Sequence, residues 1–163
     1  MEEWDFDTLA VRAGTQRSQF GEHSEALYLT SSFVFESAAQ AAGRFSGAEP
    51  GMVYARFTNP TVTAFQDRLA ALEGAEMCVA TASGMSAIMA MVMALLSAGD
   101  HIVSSQSIFG SSQQLFGNIL SRFGIETTYV PATNIDAYRA ALQPNTKLVF
   151  IETPSNPLMD VVD

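Results

Sequence analysis

In the second half of the chain, short apolar runs typical of buried strands alternate with stretches whose apolar residues follow the period of a helix. Four short runs rich in apolar or β-branched residues predict buried strands. These runs are 77–81, 101–105, 125–130 and 147–152. Between them, apolar residues recur at three- and four-residue steps, which predicts helices. The helices predicted in this way are 87–96, 111–123 and 135–142. Strands that alternate with helices predict an α/β fold with a mostly parallel sheet flanked by helices.

One more helix is predicted before the first strand. Asn59 and Pro60 suit the N-cap and the first helical position, and Gly74 suits the end. Its apolar residues form one stripe, which we expect to pack against the core: Val62, Phe65, Leu69 and Leu72. The helix 87–96 has no polar face, so we expect it to be buried on nearly all sides.

Residues 1–58 lack the regular alternation. Short apolar stretches are separated by polar and glycine-containing links, with a helical piece around 37–45. The sequence therefore predicts an irregular N-terminal arm over residues 1–58 and an α/β domain over residues 59–163.

Composition narrows the classes of function. With 163 residues, 48% of them hydrophobic, the chain can form a globular domain with a sizeable core. A formal net charge of −9 argues against a nucleic-acid surface, which needs concentrated basic residues. The N-terminus lacks the basic start of a secretory signal, and no apolar run reaches the roughly 20 residues that span a bilayer. We expect a cytoplasmic protein that binds neither nucleic acid nor membrane.

The cysteine and histidine pattern predicts no metal site. The single cysteine, Cys78, excludes an internal disulfide and a cysteine cluster, and its apolar surroundings predict a core position. His23 and His101 have no partner at metal-ligand spacing. His101 also begins a predicted strand, far from the strand ends where open sheets bind ligands. Both histidines are expected to be structural.

The turn 82–86 joins a predicted strand to a predicted helix. The first N–H groups of a helix lack intrahelical partners and carry partial positive charge, so they can bind a phosphate. Gly84 has no Cβ, so the backbone can approach a ligand closely, and Ser83 suits the N-cap. The turn by itself is compatible with a phosphate site or with a plain helix cap.

Three loops follow the carboxyl ends of predicted strands, where ligands of open α/β sheets bind. They are 82–85, 106–110 and 152–157. Together they offer N–H donors, the ring of Phe109, the amide of Asn156 and the carboxylate of Glu152. These groups suit a flat, phosphorylated heteroaromatic molecule. A dinucleotide fits less well, because the chain has no Gly-x-Gly-x-x-Gly motif.

Four motifs, in their order and spacing, resemble those of the Cys/Met-metabolism family of pyridoxal phosphate (PLP) enzymes. They are 54–61, 82–88, 109–111 and 151–157. The arm sequence 22–33 and Phe109 are most similar to the O-succinylhomoserine sulfhydrylases of that family. The resemblance implies the aspartate-aminotransferase-like large domain of fold type I, of which residues 59–163 would be the first, incomplete part.

The resemblance also implies roles in phosphate binding. Gly84 and Met85, beside Ser83, would donate backbone N–H groups to the PLP phosphate. Tyr54 and Arg56 resemble a pair that reaches the phosphate of a neighbouring subunit, which implies a homo-oligomer. A planar guanidinium suits this role because it can make two parallel bonds to a phosphate. Without the motif, a surface salt bridge would be the simpler reading of Arg56.

Other matching positions concern the cofactor ring. Phe109 corresponds to an aromatic residue that stacks on the pyridine ring, and Asn156 to an amide that binds the phenolic oxygen. Glu152 either supports this edge electrostatically or merely ends the strand. Many relatives have tyrosine at the position of Phe109, and its hydroxyl is often given a role in proton transfer. Here only the stacking role can remain.

Lys147 is the only lysine of the chain. Glu152 lies five residues further along the predicted strand, and at ~3.3 Å per residue these span about 16 Å. The side chain of Lys147 cannot cover that distance to the carboxyl end, so we expect it to be a solvated charge. The family's Schiff-base lysine and its pyridinium-pairing aspartate have no matching motif here, although Asp160 and Asp163 share the aspartate's type. The resemblance thus implies the N-terminal part of an enzyme that is inactive alone.

For the whole enzyme, the resemblance implies γ-replacement on an O-acylated homoserine. Succinate leaves, sulfide adds and homocysteine forms, a reaction of methionine biosynthesis. Cystathionine γ-synthesis and β- or γ-elimination are alternatives within the family. A non-catalytic phosphate-binding or interaction module is an alternative of a different class.

Overall fold

The computed structural model describes residues 4–162 and divides the chain into two compact units. We call Met1–Ala80 the arm unit and Thr81–Asp163 the sheet unit. The unit boundary follows Ala80, whereas the domain boundary predicted between residues 58 and 59 stays a prediction.

Within residues 4–80, the arm unit contains three helices. They are α1 (Phe6–Arg12), α2 (Ala38–Phe45) and α3 (Pro60–Glu73). Helix α1 lies in a region that was expected to be irregular. Its seven residues are too few for a clear period, and Asp5 makes no side-chain cap bond, so the sequence carries no strong helix signal there. Ser32 and Tyr54 add an isolated antiparallel bridge.

The ends of α3 are as predicted, but its buried face is not. Asn59 accepts the N–H of Thr61 at 2.9 Å, and Gly74 ends the helix with φ of +62°. The buried residues are Ala64 and Ala70, whereas the predicted stripe is partly open to solvent, with Phe65 57% exposed. Small side chains form the buried face because the segment after α1 crosses α3 in close contact. A Cβ on Gly14 would lie 2.5 Å from the carbonyl oxygen of Ala64.

The sheet unit alternates helices and strands. Its elements are α4 (Gly84–Leu95), β1 (His101–Ser105), α5 (Gly110–Gln114), β2 (Glu126–Val130), α6 (Ile135–Ala141) and β3 (Thr146–Phe150). The strands lie in the order β2-β1-β3 and both pairings are parallel. The α/β fold with a parallel sheet flanked by helices is therefore confirmed.

The strand predicted over 77–81 is wrong. These residues have no ladder partner within the described chain, and Met77 and Val79 are 75% and 73% exposed. Cys78 is half-buried and does not lie in a core. An apolar run supplies only the propensity for a strand, whereas a strand also needs a neighbour for its backbone hydrogen bonds.

Two apolar clusters cover opposite faces of the sheet. Ile102 packs with Val92 of α4 and with Phe116. Val103, the next residue of β1, packs with Val130 and Tyr138, the latter from α6. Successive strand residues point to opposite faces, so adjacent residues of β1 anchor both clusters. All five residues of β1 are buried, which makes it the centre of the unit.

Helix α4 begins earlier and is less buried than expected. It starts at Gly84, and Val92 is its one buried residue, whereas Met93 and Leu95 are 55% and 60% exposed. The expected burial on nearly all sides is therefore wrong for the described chain, because α4 packs on the sheet through one stripe. None of the helices in residues 4–162 is long and apolar enough to cross a membrane.

The helix predicted over 111–123 forms with a change of pitch. After α5, the chain continues through a π-helical segment, Leu115–Ile119, and a 3₁₀ turn, Leu120–Phe123. Gly124 ends it with φ of +75°, as its predicted position just after the helix requires.

Candidate functional site

The start of α4 presents free backbone donors. Ser83 is extended, and its Oγ accepts the N–H of Ser86 at 3.1 Å, which makes it the predicted N-cap. Within residues 4–162, the N–H groups of Gly84 and Met85 have no hydrogen-bond acceptor. A Cβ on Gly84 would meet no atom within 4 Å, so the space beside these donors is open. This helix start can accept an anion.

The loop after β1 places an aromatic ring beside α4. We call residues 106–110 the β1 loop. Phe109 is 49% exposed and is the residue just before α5, with φ of −55° and ψ of 137°. Phe109 and Met85 line the same open groove, of about 650 Å³. The structure therefore brings the start of α4 and the aromatic residue together.

The loop after β3 contacts the β1 loop. We call residues 151–162 the β3 loop. Oε2 of Glu152 accepts the backbone N–H of Phe109 at 2.9 Å. Strand β3 ends at Phe150, so Glu152 does not end the strand but joins two loops. Asn156 lies in the same loop and is exposed.

A second set of bonds closes the β3 loop. Ser155 is 1% exposed, its N–H donates to the carbonyl of Asp160 at 2.9 Å, and its Oγ accepts the N–H of Asp160 at 2.9 Å. The hydroxyl of Ser107 donates to Oδ2 of Asp160 at 3.1 Å. Sequence reasoning missed Ser107 and Ser155 in this contact, because serines in loops have many possible partners. Asp160, a candidate by residue type alone, binds the β1 loop.

The arm unit holds Tyr54 and Arg56. The guanidinium of Arg56 lies 5.5 Å from the ring centroid of Tyr54 and 4.9 Å from that of Phe57. None of the ion pairs within residues 4–162 involves Arg56, and its side chain is exposed. Aromatic contacts thus orient this guanidinium and leave it available to an anion.

The arm unit also contains an ion pair that the sequence did not reveal. Glu25 pairs with Arg68 and accepts the hydroxyl of Thr15 at 2.9 Å. Hydrogen bonds from its own backbone N–H, from Arg68 and from Thr15 lower the pKa of Glu25 from 4.5 to about 2. Arg68 donates further to the carbonyl of Ala13 at 2.8 Å. The pair links α3 to the segments around it.

His101 and Lys147 lie at the amino ends of their strands. His101 is 1% exposed, with Nδ1 2.8 Å from the hydroxyl of Thr146 and Nε2 2.9 Å from that of Thr128. Both contacts fit a structural histidine. Lys147 is exposed at the second residue of β3, the end opposite the β3 loop.

Among the residues that the structure describes, no group of three or more histidine, cysteine or acidic side chains could hold a metal ion.

Known proteins match almost the whole chain. The chain is 60% identical over 158 residues to an O-succinylhomoserine sulfhydrylase of Pseudomonas aeruginosa, with 97% of this chain and 39% of that protein covered. It is 42% identical over 156 residues to an L-methionine gamma-lyase of Fusobacterium nucleatum subsp. polymorphum, with 96% and 40% covered. The chain therefore spans about 40% of the length of these relatives.

A solved structure shares the fold. It is a Campylobacter jejuni protein proposed to be an O-acetylhomoserine (thiol)-lyase, matched with a TM-score of 0.90 at 33% identity. The match covers 99% of this chain and 40% of the other. That structure carries a pyridoxyl-lysine phosphate.

The residues at the groove fit a cofactor of this kind. A phosphate needs donors, which Gly84 and Met85 present at the start of α4, with open space beside Gly84. A pyridine ring needs a flat apolar partner, which Phe109 presents in the groove that Met85 also lines. The family profile described as Cys/Met metabolism PLP-dependent enzyme matches residues 7–163. The chain thus belongs to the Cys/Met-metabolism family of PLP-dependent enzymes.

Proposed function

We propose that this chain supplies the phosphate- and ring-binding part of the PLP site in an O-succinylhomoserine sulfhydrylase. That enzyme would replace the succinate of its substrate by sulfide and release homocysteine. The observation that carries the proposal is the groove that Met85, at the start of α4, lines together with Phe109, next to the open space at Gly84. The 60% identity to a sulfhydrylase, against 42% to a lyase, supports the choice of reaction.

In this proposal, the phosphate lies at the start of α4. Gly84 and Met85 donate their N–H groups to it, and the partial positive charge of the helix end favours the anion. Ser83 holds the turn in shape, because its Oγ already accepts the N–H of Ser86. The phosphate therefore needs no basic side chain from the same turn.

The ring would lie against the groove. Phe109 stacks on one face, and Asn156 donates an amide N–H to the phenolic oxygen. When bound, PLP withdraws electrons from the α-carbon of the substrate and eases proton loss there. Phe109 has no hydroxyl and moves no proton. The covalent anchor and the proton-transferring amine would come from outside these 163 residues, so we expect the chain alone to be inactive.

Tyr54 and Arg56 would serve the site of a neighbouring copy. The exposed guanidinium of Arg56 can bind a phosphate through two parallel bonds, and its two aromatic neighbours limit its motion. A homo-oligomer, and a cytoplasmic location for the whole enzyme, are parts of this proposal.

The phosphate role is tested by Gly84→Ala in the protein that carries this chain. The new Cβ would meet no atom within 4 Å, so the fold tolerates it. In this proposal the added methyl crowds the phosphate at the helix start. We expect PLP affinity to fall about tenfold and the affinity for pyridoxal, which has no phosphate, to stay the same. Gly117→Ala is the control, since its Cβ would lie 3.6 Å from the hydroxyl of Tyr129, an ordinary contact. Equal loss for both ligands would contradict the phosphate role.

The reaction is tested with the same protein by supplying O-succinylhomoserine with sulfide or with cysteine. We expect homocysteine from sulfide. Cystathionine as the main product would favour a synthase. Thiol release from methionine alone would favour the second candidate, a γ-lyase, which the 42% identical relative supports.

The non-catalytic module is tested by exposed apolar surface. Several large apolar side chains of the described residues are open to solvent: Phe20, Leu27, Leu29, Val34 and Met77, each at least 74% exposed. Such surface favours part of a larger assembly over a stand-alone module. Strong binding of an environment-sensitive dye by the isolated chain is expected, and a compact monomer with little dye binding would favour the module.

A further inference from the structure

Two exposed groups of the proposed site depend on loops for their orientation. Phe109 is 49% exposed, and Asn156 is exposed, so packing holds neither side chain on all sides. The β1 loop and the β3 loop leave neighbouring strands, because Ser104 pairs with Phe150. Neighbouring strands bring the loops close, but they do not fix one loop against the other.

Glu152 provides the first bond between these loops. Its carboxylate accepts the N–H of Phe109, which is the N-cap residue of α5 and has no side-chain cap bond of its own. This is the bond that a capping box makes with a local glutamate, supplied here from a distant loop. The carboxylate also lies at the positive end of the helix, so charge and hydrogen bond act together.

Asp160 provides the second bond. Its side chain accepts the hydroxyl of Ser107 in the β1 loop, and its backbone pairs twice with Ser155, the residue before Asn156. The residue that anchors the β3 loop therefore also sets the backbone from which the amide projects. Ser155 is 1% exposed, so this anchor is a buried one.

We propose that Glu152 and Asp160 are positioning residues, which join the β1 loop to the β3 loop and so fix the ring and the amide that these loops present. The inference rests on the proposed function, in which those two groups bind PLP. Glu152 then acts through the backbone of Phe109 and needs no direct contact with the cofactor.

The test compares substitutions at both carboxylates in the protein that carries this chain. Glu152→Ala removes the acceptor, Glu152→Asp keeps the charge but shortens its reach, and Glu152→Gln keeps an acceptor oxygen. Asp160→Ala and Asp160→Asn repeat the comparison at the second bond. The matched controls are Glu126→Gln and Asp136→Asn, which remove a charge from exposed positions outside both loops.

The readouts are PLP affinity and the visible circular dichroism of bound PLP, which reports how its ring is held. We expect Glu152→Ala and Asp160→Ala to weaken PLP binding about fivefold and to reduce the dichroism about threefold. Glu152→Gln and Asp160→Asn should recover most of both signals, and the controls should match the unsubstituted protein. A residue that merely stabilises the fold would lower the melting temperature and leave the dichroism of the folded protein unchanged.

The outcomes separate this inference from the proposed function. If the unsubstituted protein binds no PLP, the proposed function fails and the inference fails with it. If PLP binds and the Glu152 variants leave its dichroism unchanged, only the inference is overturned. Should Glu152→Ala not fold, Glu152→Asp decides: reduced dichroism supports the inference and unchanged dichroism overturns it.

Discussion

The sheet unit and the arm unit reach an ordered structure in different ways. In the sheet unit, all five residues of β1 are buried and large apolar side chains such as Phe116 and Leu120 are fully enclosed. Among residues 4–80, the buried apolar residues are alanines: Ala13, Ala64 and Ala70. Burial of large side chains holds the first unit, whereas the second relies on close backbone contacts and hydrogen bonds.

The polar bonds of the arm unit join segments that are distant in sequence. The side-chain amide of Asn59 donates to the carbonyl of Tyr28 at 3.0 Å. The backbone N–H of Tyr28 in turn donates to the hydroxyl of Thr61 at 2.9 Å. The Glu25 and Arg68 pair joins two more segments. Meanwhile Leu29 and Val34 are each 94% exposed. Unlike the sheet unit, the arm unit therefore leaves large apolar side chains such as Leu29 and Val34 open to contacts with other surfaces.

The largest effect should come from Phe116→Ala. This ring is fully buried and makes an edge-to-face contact with Phe150, with centroids 5.0 Å apart. We expect the free energy of unfolding of the sheet unit to fall by about 3–5 kcal/mol, measured by chemical denaturation. The control is Phe20→Ala in the arm unit, where the side chain is 85% exposed. This change should lower the free energy of unfolding of the arm unit by less than about 0.5 kcal/mol. Equal losses would remove the contrast between the units.

A smaller loss is expected from His101→Leu. This change leaves the hydroxyls of Thr128, in the middle of β2, and Thr146, at the start of β3, without their ring partner. The free energy of unfolding should fall by about 2 kcal/mol, because partly buried polar groups lose their hydrogen bonds. His23→Leu, at an exposed position, is the matched change in the arm unit. Chemical denaturation measures both variants. If His23→Leu lowered the free energy of unfolding as much as His101→Leu, the structural role of His101 would be contradicted.

Helix caps should behave alike in both units. Ser37 accepts the N–H of Gln40 at 3.1 Å in the arm unit, and Ser83 accepts that of Ser86 at the same distance. Each serine-to-alanine change should cost about 1 kcal/mol, because an exposed cap depends on local geometry and not on a core. Hydrogen exchange of the first turn of each helix measures the loss. If only one of the two helices lost protection from exchange, the contribution of a cap would depend on the unit that contains it.

The smallest effect concerns the pH response of the arm unit. The folded-state pKa of Glu25 is lowered from 4.5 to about 2, so its stabilising contribution is present above pH 4.5 and is lost as the pH falls through about 2. Glu25→Gln should remove this part of the acid response. The ¹³C shift of the Glu25 carboxyl carbon, followed from pH 6 downwards, measures its pKa. A midpoint near 4.5 would contradict the strength of the pairing with Arg68.

The sequence predicted local features well. The ends of α3, the N-cap at Ser83 and the glycine end at Gly124 depend on residues a few positions apart, and all were correct. The errors concern partners. The run 77–81 has strand propensity but no neighbouring strand, and the apolar stripe of α3 lies away from the face where small residues allow close contact.

In the candidate site, too, local features were predictable from the sequence, whereas contacts between distant segments were not. Its loops were located from the sequence because they follow strand ends and match family motifs. The shared groove of Met85 and Phe109, and the bond from Glu152 to a backbone N–H, could not be predicted, because they depend on how loops distant in sequence meet. The roles of all the predicted site residues in cofactor binding stay predictions: Tyr54, Arg56, Ser83, Gly84, Met85, Phe109, Glu152 and Asn156.

The family, the α/β order of the sheet unit and the helix cap at Ser83 were all predicted from the sequence, because propensity, capping and motif spacing are local properties. Which faces are buried and which loops touch became visible only in the folded chain. Those outcomes depend on burial and hydrogen bonding between distant segments, such as Glu152 with Phe109 and Ser107 with Asp160, which no short stretch of sequence encodes.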